Sequence, residues 1–137
     1  MNTPPIERTL IIMPKPLEWI LSGHKIWELR SKPTNIRGRI ALSEKGTKRI
    51  VGICMLKECL GPLTVEQFIA NARKMNEKKA KLEAKRKELK KDLATPLYAW
   101  VLADVKRLAK PIPFANPSGA VTWALLPHPI SRRLSQI

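Results

Sequence analysis

Two periodicities divide this chain, and together they limit what it can fold into. Short apolar runs rich in β-branched residues, each stopped by proline or glycine, fill the first sixty residues and return after residue 97. Between them, from Thr64 to Leu93, apolar residues recur every three or four positions. The first pattern is that of strands, whose side chains alternate between two faces; the second is that of a helix with one apolar stripe. At 137 residues the chain is long enough for one domain with a real core. The expected class is therefore α+β.

Thr9–Met13 is a short strand ended by Pro14, and Leu17, Ile20 and Leu21 place a two-turn helix over Pro16–Ser22. Gly23 suits the left-handed residue that closes such a helix, having no Cβ to clash. Strands are expected over Ile26–Leu29, Gly38–Leu42, Arg49–Lys57, Tyr98–Leu108 and Ala120–Leu126, with a hairpin loop at Glu44–Thr47 and turns at Pro33–Arg37 and Asn116–Gly119. Residues 1–8 read as a flexible lead-in, 9–127 as the domain, and 128–137, with its Arg132–Arg133 pair, as a C-terminal tail.

The segment 64–94 reads as one long helix. Thr64 with Gln67 three residues on resembles a capping box. Val65, Phe68, Ala72, Met75, Leu82, Leu89 and Leu93 keep the helical spacing, with Lys79 and Arg86 interrupting the stripe. A helix of about 30 residues would extend about 45 Å. Its first half can pack on the core while its second half projects or lies on the surface. Arg73 to Lys91 carries ten Lys or Arg against three Glu. One reading is a solvated face held by Glu77–Lys81 and Glu83–Lys87 pairs; another is a basic arm, with Lys78, Lys81 and Lys85 tracking a phosphate backbone. A coiled-coil seam is disfavoured by the basic residues on it.

The whole chain holds 26 Lys and Arg against 11 Asp and Glu, a net charge of +15. Such an excess attracts polyanions whatever the fold, so RNA or single-stranded nucleic acid is the leading partner class. An anionic membrane surface is the weaker partner, and a plain solubility role is a third reading. No apolar run approaches the roughly 18 residues of a membrane span, and no leader is visible. The expectation is a cytoplasmic protein without a membrane partner. Cys54 and Cys59 stand far from His24 and His128, which is not metal-ligand spacing; no metal or cofactor is expected, and Cys54, in an apolar run, should be a buried thiol.

Chemistry concentrates at the helix-to-strand junction Gly23–Arg30. Lys25 could meet a phosphate or a base carbonyl, and, if desolvated, could act as a base, since burial lowers a lysine pKa. Glu28 and Arg30 share one face of a regular strand, either as a salt bridge or as a pair that takes a base N–H and a phosphate. Lys25 has the opposite parity and joins them only if residues 23–25 belong to the turn. Trp27, inside the motif, is the aromatic residue expected to line a cleft; Trp19, Trp100 and Trp123 could stack bases but equally fill a core. Lys15 and Ser43 are candidate rim residues.

These pieces resemble the ASCH domain, a branch of the PUA-like superfamily. The resemblance rests on Gly23-x-Lys25-x-x-Glu28-x-Arg30 after a short helix, followed by Arg37–Leu42, Val51-Gly52, Tyr98–Leu102, Pro111–Pro113 and a closing strand that ends at Trp123. It implies a small β-barrel with flanking helices, here with one long basic helix inserted before the last strands, and a cleft lined by the motif. Relatives are linked to RNA binding, transcription coactivation and translation. Some are ribonucleases, and some are amidohydrolases that remove an acyl group from modified cytidine. In the amidohydrolases a nucleophilic threonine stands at the position of Glu28, and an acid comes from a later helix for which the basic segment offers no alignable position. The resemblance thus implies a domain that recognises RNA or a nucleotide through Lys15, Gly23, Lys25, Trp27, Glu28, Arg30 and Ser43, or a small nucleic-acid-processing enzyme in which Lys25 and Glu28 are catalytic, with a modified nucleoside as a further ligand.

Overall fold

The computed structural model describes residues 4–137, which run β1 (Arg8–Ile12), α1 (Pro14–Leu21), β2 (Trp27–Arg30), β3 (Gly38–Glu44), β4 (Arg49–Leu60), α2 (Val65–Ala70), a 3-10 turn (Ala72–Met75), α3 (Lys79–Ala84), α4 (Arg86–Asp92), β5 (Tyr98–Pro113), β6 (Trp123–Leu125) and α5 (His128–Ser135). All six strands join one sheet in the order β2-β5-β4-β3-β1-β6. β1 and β3 are parallel and the other neighbours antiparallel. In a flat sheet, β2 and β1 would lie about 19 Å apart, four strand spacings. Instead, Arg30 Nη2 on β2 donates to the Ile11 carbonyl on β1 at 2.9 Å. The sheet therefore curls into a half-barrel, in keeping with the α+β barrel that the family resemblance implies.

Three apolar clusters follow from strand alternation. Leu10, Ile12, Ile40, Leu42, Leu56, Trp100 and Leu102 point into the curl, where α1 adds Leu17 and Ile20. Ala99 and Trp27 point outward from β5 and β2 beneath the helical segment. Ile6, Ala41, Ile50, Leu108 and Leu134 form the third cluster, under α5.

The single helix expected over 64–94 is not formed. The capping box is there, with Gln67 N donating to Thr64 Oγ1 at 3.1 Å and Thr64 N to Gln67 Oε1 at 2.9 Å. Yet the chain then breaks into α2, the 3-10 turn, α3 and α4. Asn76 adopts a left-handed conformation (φ 58°) at the first break, which asparagine tolerates better than most residues. Folding back brings Phe68, Met75, Leu82 and Leu89 into one cluster with Trp27 and Ala99. A straight helix would have left the leucines of its second half in water, forfeiting about 1.5–3 kcal/mol each. The expected i,i+4 pairs give way to Arg86, which bridges Glu83 and, across the fold, Glu66. The segment is a compact cap rather than an arm.

Both termini also depart from expectation. Residues 1–3 of the expected lead-in lie outside the described residues, but Ile6 is fully buried, its N–H donates to Ser135 Oγ at 2.8 Å, and Arg8 opens β1. The expected tail is largely α5, whose Leu134 is fully buried beside Ile6. Apolar residues at helical spacing (Ile130, Leu134) outweighed the Arg pair that reads as solvated chain.

Candidate functional site

The junction between α1 and β2 is built by a glycine. α1 ends in a Schellman turn: Gly23 N donates to Ile20 O at 3.1 Å and His24 N to Trp19 O at 2.8 Å, with Gly23 at φ +86°. Lys25 therefore belongs to the turn, and β2 starts two residues later, which satisfies the condition under which Lys25 can join Glu28. The following residue is strapped on both sides, Ile26 N to Lys74 O of the cap and Leu102 N to Ile26 O, each at 2.8 Å.

Lys25 is buried at 6% exposure. Desolvation lowers its pKa from the usual 10.5; the charges of Glu28 and Glu77 oppose that shift, and Arg30 adds to it. Glu28, also 6% exposed, holds Arg30 in a salt bridge of 3.0 Å. Glu77 is the acid that sequence reasoning missed. It follows the left-handed Asn76, and its N–H closes on Ala72 O at 2.9 Å. The signal was that asparagine, a turn residue inside a pattern read as continuous helix.

Arg30 connects this group to an open cleft of about 530 Å³, lined by Arg30, the 31–34 loop, Trp100 and residues 121–123. Its guanidinium carbon lies 5.6 Å from the Trp100 ring centroid. Trp100 stacks on Trp123 with centroids 5.7 Å apart and planes at 12°. Trp100 Nε1 also donates to Lys32 O at 3.0 Å, which ties the loop to the sheet. Trp100 itself is 3% exposed, so the aromatic surface available to a ligand belongs to the half-buried Trp123. The cleft thus offers an aromatic ring and a cation side by side, with the Lys25–Glu28–Glu77 group behind Arg30.

Other expected site residues fall elsewhere. Trp27 does not line the cleft: it is 3% exposed, on the outward face of β2, packed under the cap with Lys74 Nζ 5.2 Å from its ring centroid. Alternation explains this, because Trp27 has the opposite parity to Glu28. Ser43 is not a rim residue either; it is buried, its hydroxyl 2.6 Å from that of Thr9 between β3 and β1. Gly23 shapes the turn and is exposed, with no atom within 4 Å of where a Cβ would stand. Lys15 is exposed on α1, its ammonium 5.7 Å from the Trp19 ring centroid. Lys78, Lys81 and Lys85 are exposed on the cap, which covers the face of β2 and β5 opposite Trp100. Cys54 is buried and its thiol is pushed up to about 12 by desolvation, so it stays protonated. Among the described residues, no three His, Cys, Asp or Glu side chains are grouped as a metal would require. No helix among them is long and apolar enough to cross a membrane.

A search of curated proteins gave no match. Solved structures did. The crystal structure of ASCH from Zymomonas mobilis superposes with a TM-score of 0.68 at 17% identity, covering 96% of this chain and 94% of that one. A tyrosine-to-phenylalanine variant of the same bacterial protein gives 0.65 at 17% identity over 96% and 97% of the two chains. A serine-to-alanine variant gives 0.60 at 18% over 95% and 94%. These likenesses establish the fold. The model of the ASCH domain matches residues 10–112, most of the chain and every strand of the half-barrel but β6, and this protein is accordingly a member of the ASCH domain family.

Proposed function

We propose that this protein binds RNA, or a nucleotide within it, in the cleft between Arg30, Trp100 and Trp123. The observation that carries the reading is the stacked tryptophan pair beside a guanidinium, at the mouth of a half-barrel in a chain of net charge +15. Unpaired bases stack on aromatic faces with little sequence preference, and arginine serves the adjoining phosphate or base edge. Lys25 and Glu28 support the floor from behind Arg30. The exposed lysines of the cap, Lys78, Lys81 and Lys85, add salt-sensitive attraction without lining the cleft.

Fluorescence anisotropy with a short single-stranded RNA across a salt series tests this. Trp123→Ala should weaken binding by about 1–3 kcal/mol, the usual worth of one stacked base, while circular dichroism shows the fold retained. Unchanged affinity in that variant would remove the cleft from the account.

A second reading, a small nucleic-acid-processing enzyme, is favoured by one specific observation. Lys25 is a buried lysine with a lowered pKa, within the influence of two carboxylates, Glu28 and Glu77. A neutral lysine amine can take a proton from an attacking water, and a carboxylate can orient that water. Turnover of RNA or of an acylated cytidine that disappears in Lys25→Ala and in Glu77→Gln would support it. Binding with no product at any concentration would leave the binding reading alone.

A further inference from the structure

A second cleft, of about 340 Å³, begins where the aromatic one ends. The chain from Arg30 to Thr34 lines the first, and the chain from Asn35 to Ile40 lines the second. Arg8, Arg37 and Arg39 all contribute to its wall, against a single acid, Glu7. Among the described residues, Arg8 and Arg37 form no ion pair with that glutamate or any other carboxylate, while Arg39 Nη2 is bonded to an Ile137 oxygen. Two guanidinium groups, those of Arg8 and Arg37, thus line one cavity without a counter-charge and repel one another, and an anion relieves that repulsion.

The wall is also held in place. Arg39 Nη1 donates to Pro4 O (3.4 Å) and Ser135 O (3.2 Å), and its Nη2 to Ile137 O (3.1 Å), pinning the chain on both sides of the cleft. Arg37 Nη1 donates to Thr34 O at 2.9 Å and Ile36 O at 2.7 Å, which fixes its own loop and leaves Nη2 and Nε without a protein hydrogen bond among the described residues. Ile36 N donates to Thr34 Oγ1 at 3.1 Å. The loop that separates the two clefts is therefore a braced ridge.

We propose that the Arg8–Arg37–Arg39 cleft is a phosphate-binding subsite for the same single strand whose base sits on Trp123. The strand crosses the 31–37 ridge, so the site takes an oligonucleotide rather than one nucleotide. This rests on the reading of the aromatic cleft as an RNA site. The subsite reads no base; it sets the direction of the strand and the length of the footprint.

The test is a titration of ¹⁵N-labelled protein with hexauridylate, following the Trp123 indole and the Arg8 and Arg37 side-chain Nε–Hε signals. A parallel salt series compares wild type with Arg8→Glu and with Arg8→Gln/Arg37→Gln. The proposal expects both sets of signals to move with the hexamer, whereas uridine monophosphate moves the indole alone. The double variant should lower the salt slope by about 1.4, two phosphates at about 0.7 each for a single strand. Arg8→Glu, at a residue whose side chain makes no hydrogen bond or ion pair among the described residues, should weaken the hexamer and leave the mononucleotide unaffected. Movement of the indole with silent arginines and an unchanged slope overturns the subsite and leaves the aromatic cleft standing. Moving arginines with a silent indole overturns the aromatic cleft instead. Silence at both overturns both.

Discussion

Replacing Lys25 by methionine should stabilise the protein while impairing its site. The side chain is 6% exposed, and neither Glu28 nor Glu77 approaches its ammonium closely enough to form an ion pair. Desolvation is accordingly the dominant influence on Lys25, and it disfavours the charged form. Methionine follows nearly the same path with an apolar, flexible chain. Replacing incompletely compensated buried charge with apolar volume gains about 1 kcal/mol at the low end of such exchanges. With a urea m-value of about 2 kcal/mol/M, the midpoint should rise by about 0.5 M. The sign of the pH dependence follows from the lowered pKa. Below the lowered folded pKa Lys25 is protonated in both folded and unfolded chains, and the burial cost is present in full. As pH climbs through the folded pKa toward 10.5, the folded form loses its proton first and the wild type recovers stability. The advantage of Lys25→Met must therefore shrink on going from about pH 7 to about pH 10. Urea unfolding followed by tryptophan fluorescence at both pH values measures it. A variant less stable than wild type at neutral pH, or a gain identical at both, would refute the argument that this lysine is held at a cost.

Three further outcomes follow from the packing. Leu89→Ala should cost about 2–3 kcal/mol in chemical denaturation, because Leu89 is 8% exposed within the cap cluster; a loss within the ±0.5 kcal/mol of a surface change would mean the basic segment projects after all. Arg30→Ala should cost about 3 kcal/mol, since it leaves Glu28 buried without its partner and frees the Ile11 carbonyl. In a double-mutant cycle, Arg30→Ala and Glu28→Gln should together cost at least 1 kcal/mol less than their sum; additivity would show that the pair does not interact. Gly52→Ala should lower the melting temperature, because the new Cβ would stand 2.7 Å from Leu21 Cδ2 and 3.1 Å from the Lys106 carbonyl; the leucine can swing but the β5 backbone cannot, and an unchanged melting temperature would contradict that close approach.

The sheet was legible because its signals are local. Pro14 after Met13, glycine after Ser22 and the Glu44–Thr47 loop mark chain ends and turns that no distant contact reverses, and the strands appear there within a few residues. The cap was not legible, since the same 3–4 spacing suits one straight helix or several short ones. Only the outward faces of Trp27 and Ala99 decide between them, and those lie far away in sequence. The site divides along the same line. Lys25, Glu28 and Arg30 are neighbours in the chain and were found together. Glu77 and the Trp100–Trp123 stack come from elements more than forty residues away from them, so nothing in their spacing relates them to the motif.

Arg30 explains why closing the barrel and forming the cleft are one event. A single nitrogen, Nη2, serves both Glu28 and the Ile11 carbonyl, so the guanidinium is already fixed when its side chain, 21% exposed, reaches the cleft. Nη1 and Nε carry no protein hydrogen bond among the described residues and can turn to a phosphate or a base edge without giving up the contacts that hold β2 to β1. Trp100, pinned through Lys32, fixes the plane on which Trp123 rests. Little ordering remains for a ligand to impose, and affinity lost to ordering is what most weakens binding at small interfaces. The cap contributes differently. Ten of the 26 basic residues fall between Arg73 and Lys91, on the far side of β5 from Trp100. Their field, screened within about 8–10 Å at ordinary salt, draws a polyanion toward the molecule but cannot choose among bases. On the proposed reading, attraction and recognition occupy opposite faces of the same two strands.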